Sequence, residues 1–226
     1  LAGIDTDLNR AAAEMASGEG LPVSLHHVDV ADEASVRAWS EEIVFETGHL
    51  HALVNAAAIQ FYGSVEDTTP EIWDRTIAVN LRSCYLTSHI LYPLMKAANG
   101  ASIVHVSSVQ GHASQNRVVA YAATKGAIHA LTRAMAVDCA GDGIRVNSVS
   151  PGSVRTPLLE FSARELATNG KSVDEMLAEF AASHPVGRVG TPADISAMIA
   201  YLCSDAAGFV TGADMLVDGG LTAQRG

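Results

Sequence analysis

Short, dense apolar runs alternate along this chain with longer stripes at helical spacing. Val23 to Val28, Leu50 to Asn55, Ile103 to Val106, Ile144 to Val149 and Met215 to Asp218 read as strands. Between them, Asp32 to Thr47 reads as a helix capped by Asp32. Ile72, Ile77, Leu81, Leu86, Ile90 and Leu94 predict one long helix over Ile72 to Ala98. Further helical stripes start at Tyr121, with Ile128, Leu131 and Met135 on one face, and at Asp194, running to Cys203. Strands this apolar are covered on both sides, so the alternation predicts an α/β fold: a doubly wound, Rossmann-like parallel sheet in three α/β/α layers. Ligands in such sheets bind at the carboxyl ends of strands. Asn55, Ser108 and Pro151-Gly152 fall at three of those ends. There are no repeats, low-complexity tracts or linkers, and the 226 residues are expected to form a single domain. Leu158 to Pro185 predicts two lid helices separated by Asn169-Gly170.

The candidate chemistry sits on one of these strand ends and the helix after it. A helix puts residues four apart on one face, so the Tyr121 hydroxyl and the Lys125 ammonium are expected side by side. A neighbouring cation favours phenolate and would pull the tyrosine pKa down from about 10 toward neutrality. Tyr121 then reads as a general acid/base, with the Ser108 hydroxyl able to hold a substrate oxygen. The plainer alternative is a core-edge tyrosine, a solvated lysine and a strand-end serine bonded to backbone.

Charge narrows the partners. Fourteen basic against 25 acidic residues, net −11, and no Lys/Arg cluster argue against nucleic acid or an anionic membrane surface. Cys84, Cys139 and Cys203 are odd in number and lie in apolar helical contexts, so they read as reduced thiols of a cytoplasmic protein. The nine histidines show no metal-ligand spacing, and no metal site is expected. No apolar stretch approaches the ~18 residues of a membrane span, and no secretory signal pattern is visible.

Several short motifs occur in a fixed order: Asp29-Val30, Asn55-Ala56-Ala57, Val79-Asn80-Leu81, Ser107-Ser108 and Tyr121-x-x-x-Lys125. Asn147, Pro151-Gly152 with Thr156, Thr211-Gly212 and Val217-Asp218-Gly219-Gly220 follow. In this set the chain resembles the short-chain dehydrogenase/reductase family, in its single-domain branch, over nearly its whole length. The resemblance implies an oxidoreductase that interconverts a secondary alcohol and a ketone by hydride transfer, usually as a homotetramer. It implies Tyr121 as acid/base, Ser108 as oxygen anchor, Lys125 as pKa tuner and ribose ligand, and Asn80 as holder of a water linking Lys125 to solvent. Asp29, Val30, Asn55 and Ala56 would lie beside the adenosine, and Pro151, Gly152, Val154 and Thr156 beside the nicotinamide. Ala57 and Thr124 depart mildly from the family's usual Gly and Ser.

Cofactor choice rests on Asp5, which follows a short apolar start. A carboxylate at the end of the second strand accepts from ribose hydroxyls and repels a 2′-phosphate, favouring NAD over NADP; alternatively Asp5 caps the following helix. The family's first strand and Gly-rich phosphate turn do not occur in the sequence, which implies roughly 30 further residues before Leu1, about one β–α unit. Gln60, Gln110, His112, Gln115 and Asn116 point to a hydroxylated small molecule, a sugar, polyol or hydroxy acid, with Gln110 and Gln115 as substrate contacts. Arg155 reads as a surface residue. A catalytically silent, nucleotide-binding scaffold or regulator is the second reading, and the intact Asn80, Ser108, Tyr121, Lys125 set favours the enzyme.

Overall fold

Two parallel sheets carry the strands in the computed structural model, which describes residues 1–167 and 170–224 and all their side chains except those of Thr6 and Leu8. The smaller sheet pairs β1 (Ala2–Gly3) with β2 (His26–His27). The larger runs β3 (Ala52–Asn55), β4 (Ala101–Val106), β5 (Ile144–Pro151) and β6 (Asp214–Val217), in that spatial order and all parallel. The expected single sheet is thus divided, and among the described residues no strand joins β1 to β3. The predicted Val23–Val28 strand shrinks to two residues for the same reason. A strand exists only where a neighbour supplies hydrogen bonds, and β1 offers two residues of ladder.

Successive residues of β4 show why helices cover both faces. Ile103 points to one side, where it packs with Leu91, Leu94, Met95, Ile144 and Val146. Val104 points to the other, against Val149, Ile195 and Leu202. The first face is covered by helices α4 (Ser83–Ala97) and α5 (Val119–Cys139), the second by α8 (Pro192–Cys203). Helices α1 (Thr6–Gly18) and α2 (Glu33–Glu46) accompany the small sheet, and Asp32 caps α2 as the sequence predicts. The long helix expected over Ile72 to Ala98 is interrupted. α3 (Pro70–Ile77) runs into a wide π turn over Ala78–Arg82 before α4 resumes.

The predicted lid helices form as α6 (Pro157–Leu166) and α7 (Val173–Ser183), packed through Ala163, Met176 and Leu177. Asn169 lies outside the described residues. Among the described residues no helix is long and apolar enough to cross a membrane.

The α4–sheet contact carries much of this core. Leu91 is fully buried in it, so Leu91→Ala is expected to cost about 2–5 kcal/mol, read from urea denaturation midpoints; a loss below ~1 kcal/mol would contradict that packing.

Candidate active site

Strand β4 ends at Val106, and the chain then turns through Ser107 and Ser108 into a single 3₁₀ turn, Val109–Gly111. The Ser108 hydroxyl accepts from the Gln110 N–H at 3.1 Å, which fixes this serine at the head of the turn. Helix α5 lies against the same strand end. Lys125 is only 2% exposed, and its ammonium donates to the Val106 carbonyl at 2.8 Å. In return the Ser107 hydroxyl donates to the Lys125 carbonyl at 2.9 Å. A Cβ at Gly111 would meet His129 Cε1 at 2.6 Å and the Lys125 carbonyl carbon at 2.8 Å, so only glycine lets the turn come this close to α5.

Tyr121 stands one turn before Lys125, with the Nζ 5.4 Å from its ring centroid. The juxtaposition matches the sequence reading, but the electrostatics do not. Burial pushes Tyr121 up to about 12, only partly opposed by hydrogen bonding to the Ser108 side chain. Burial likewise pushes Lys125 down to about 8. Desolvation disfavours both charges and outweighs any help the lysine gives the phenolate. In this structure Tyr121 is a neutral hydroxyl at neutral pH.

Asn80 occupies the π turn, fully buried. Its Oδ1 accepts from the Ile59 N–H at 2.8 Å, while its Nδ2 donates to the Ile59 carbonyl at 2.9 Å and to Thr124 Oγ1 at 3.3 Å. These bonds engage both polar atoms of its amide. The amide ties the loop after β3 to the helices. Thr124, the departure from serine, donates to the Tyr121 carbonyl at 2.7 Å and is buried without conflict.

The opposite wall follows β5. A Cβ at Gly152 would meet His184 Nε2 at 2.7 Å and Asp218 Cα at 3.0 Å. His184 accepts from the Ser153 N–H through Nε2 at 3.1 Å, and its Nδ1 faces the Phe180 carbonyl at 2.6 Å. It therefore joins the Pro151–Ser153 turn to α7 as a neutral imidazole with Nδ1 protonated. Thr156 caps α6 by accepting from the Leu159 N–H. Asp218 accepts from the Gly220 N–H and from the backbone and hydroxyl of Thr222, which closes the end of the described chain over the same wall.

Together these walls enclose a cavity of about 1110 Å³. Ser108, Tyr121 and Lys125 line it, as do Ala56, Gln110 and Gln115. Pro151, Gly152, Val154 and Thr156 line it from the other side. At the rim the Gln115 N–H donates to Gln110 Oε1 at 2.8 Å, and Gln115 Nε2 donates to Tyr62 Oη at 3.3 Å. Tyr62, whose ring lies 6.2 Å from that of Phe161, was not legible as a site residue, because only the folded loop brings it there.

Other expected residues lie elsewhere. Asp5, Asp29, Val30, Asn55 and Asn80 are outside the cavity lining. The Asp5 carboxylate accepts from the Asp7 N–H at 3.1 Å, at the start of α1, as the capping alternative foresees. Asp29 turns its carboxylate back onto the Ala31 N–H, and Val30 packs against Val28, Val36 and Leu86. Asn55 accepts from the Thr87 hydroxyl at 2.8 Å and faces His105 Nδ1 at 3.2 Å, so its amide is engaged inside the fold. Arg155 is exposed. His112, expected near the substrate, lies outside the lining because its Nε2 meets Asp214 Oδ2 at 2.7 Å. His129 joins them, and the ligand atoms of the three lie within 4.8 Å of one another, a grouping that spacing along the chain does not show.

The family's nicotinamide cofactor can be tested against the cavity lining. Tyr121 and Lys125 line a cavity of about 1110 Å³, large enough for a nicotinamide and its ribose, and the bare Gly152 lets its turn pack against His184 and Asp218.

The chain was compared with known proteins. A family model described as enoyl-(acyl carrier protein) reductase matches residues 1–222. The 2-(S)-hydroxypropyl-CoM dehydrogenase 3 of Xanthobacter autotrophicus is 39% identical over 220 residues, 97% of this chain and 85% of that protein. From the same organism, the inactive 2-(S)-hydroxypropyl-CoM dehydrogenase 2 is 40% identical, over 96% of this chain and 93% of that protein. A crystal structure from Burkholderia xenovorans, assigned to the short-chain dehydrogenases/reductases, superposes with a TM-score of 0.93 at 30% identity, over 100% of this chain and 85% of the other.

The buried lysine has a pH signature. Unfolded, Lys125 holds its proton up to about 10.4, whereas folded it releases it at about 8. The unfolded chain binds more protons in that window, so this residue's contribution to stability rises with pH across it. Lys125→Met lacks the rise. Whatever its sign at lower pH, the stability of the variant relative to the parent is expected to fall between about pH 8 and pH 10 in paired urea titrations; a pH-independent difference would contradict the burial of a titrating amine.

Proposed function

Since this chain belongs to the short-chain dehydrogenase/reductase family and is an oxidoreductase acting on CH–OH groups with a nicotinamide cofactor, we propose that it interconverts a secondary alcohol and a ketone with Tyr121 as the proton donor and acceptor. The observation that carries this is the convergence of Ser108, Tyr121 and Lys125 on one wall of the large cavity. When bound, a nicotinamide supplies or takes the hydride. The chain's own part is the proton. The Tyr121 hydroxyl, kept neutral by burial, gives its proton to the carbonyl oxygen as a ketone becomes an alcohol, and Ser108 holds that oxygen by a hydrogen bond. In the reverse direction Tyr121 must first lose its proton, so oxidation is favoured by alkaline pH. The apolar walls from Leu158, Leu159 and Phe161 exclude water, and the Gln110–Gln115–Tyr62 rim offers hydrogen bonds, which supports a small hydroxylated substrate such as a sugar, polyol or hydroxy acid.

NAD is the proposed cofactor in preference to NADP, on the carboxylate of Asp5. Self-association as a homotetramer is proposed from exposed apolar side chains on α4 and α5, Tyr85 at 52% and Val137 at 79%. A reducing, cytoplasmic setting suits the three free cysteines. The silent-scaffold reading draws support from the relative named inactive, and the same experiment separates the two.

Tyr121→Phe is expected to lower turnover of secondary alcohols by about 10²–10⁴ while calorimetric NADH binding persists. Unchanged turnover would remove Tyr121 from the mechanism, and NADH binding by a parent protein that turns over no alcohol would favour the scaffold. Asp5→Ala should narrow the preference for NADH over NADPH; an unaltered ratio would assign cofactor choice to other residues.

A further inference from the structure

Beside the cavity but outside its lining, three elements separated in sequence bring two imidazoles and a carboxylate together. His112 follows the 3₁₀ turn that starts at Ser108, His129 lies one helical turn beyond Lys125, and Asp214 opens β6. Their ligand atoms all lie within 4.8 Å of one another. His112 Nε2 is 2.7 Å from Asp214 Oδ2, and His129 Nε2 is 3.6 Å from Asp214 Oδ1. Tetrahedral zinc, with bonds of about 2.0–2.1 Å, sets its ligand atoms roughly 3.4 Å apart, so small side-chain adjustments bring all three onto one ion. Two imidazole nitrogens and one carboxylate oxygen form a donor set suited to zinc and its first-row neighbours, and poorly suited to magnesium or calcium.

The surroundings also suit a metal. Asp214 Oδ1 accepts from the Ser148 hydroxyl at 2.5 Å and the Ser150 hydroxyl at 2.9 Å, which orients the carboxylate from behind. His129 Nε2 faces Ser150 Oγ at 3.0 Å, inside the fold. The His112 side chain is 39% exposed, so the group is reachable from solvent.

We propose that His112, His129 and Asp214 form a binding site for a divalent first-row transition metal of the zinc type, which clamps the turn carrying Ser108 onto helix α5 and strand β6. As it stands, the clamp is a hydrogen bond from His112 to Asp214 and a stack of the two imidazoles, with ring centroids 4.2 Å apart. A metal replaces the shared proton and fixes the turn from both sides, with Gly111 already against the His129 ring. The site is independent of the substrate reading, since none of the three ligands lines the cavity.

The test uses chelator-treated protein titrated with Zn²⁺ by calorimetry and with Co²⁺ by visible absorption. One equivalent of metal per chain, with affinity reduced at least about tenfold by His112→Ala and by Asp214→Asn, is the expected result. Circular dichroism of each variant shows whether it has folded, and the exposed His112→Ala carries the test should Asp214→Asn misfold. The paired surface histidines His49 and His51, with rings 4.8 Å apart, are the control. The double variant His49→Ala/His51→Ala should bind as the parent does. Absence of stoichiometric binding at micromolar metal, binding unaltered by His112→Ala, or loss of binding in the His49/His51 variant would each overturn the site.

Discussion

The Lys125 ammonium against the Val106 carbonyl, answered by the Ser107 hydroxyl on the Lys125 carbonyl, is the contact on which the rest of the site depends. A buried ammonium must find acceptors or lose its proton, and the open carbonyl at the end of β4 is a partner that no further ladder bond claims. The reciprocal pair locks the end of one strand to the first turns of one helix. Ser108 lies just beyond one partner and Tyr121 one turn before the other, so their relative position follows from a contact that neither makes.

The same burial sets the protonation states. Desolvation raises Tyr121 and lowers Lys125, and it dominates over a charge 5.4 Å away. Tyr121 is thus held as a neutral hydroxyl beside a lysine that releases its proton more readily than usual, which suits a tyrosine that gives a proton to a carbonyl oxygen. Asn80 strengthens the same scaffold by tying Ile59 to Thr124, next to the tyrosine's own carbonyl. The π turn that holds Asn80 interrupts an otherwise continuous helix where the fold needs that amide turned inward.

The opposite wall is built by short polar devices where the first relies on a buried charge. Thr156 caps a helix, His184 links a turn to another helix, and Asp218 gathers three donors near the described end of the chain. Asp214, at the start of the same edge strand, reaches across β5 to the histidines between the sheet and α5. Strand β6 therefore serves two places at once, holding the cavity wall at its carboxyl end and the histidine cluster at its amino end.

Much of this was legible in the chain itself. Apolar runs and stripes located β3 to β6, the capped helix α2, the pair α6 and α7 and the strand ends, because periodicity and capping are local properties. The Tyr121–Lys125 spacing and the order of motifs located one wall of the cavity, since residues four apart on a helix share a face whatever surrounds it. Only the tertiary structure decided the rest. It set the register and order of β3 to β6, because pairing needs neighbours far along the chain. It reversed the expected pKa shift, because desolvation depends on what packs over a side chain. It turned Asn55, Asn80 and Asp29 inward onto local partners. Finally it brought His112, His129 and Asp214 to one point, which no spacing along the chain encodes, because the three lie on separate elements that meet only when β5 and β6 pair beneath α5.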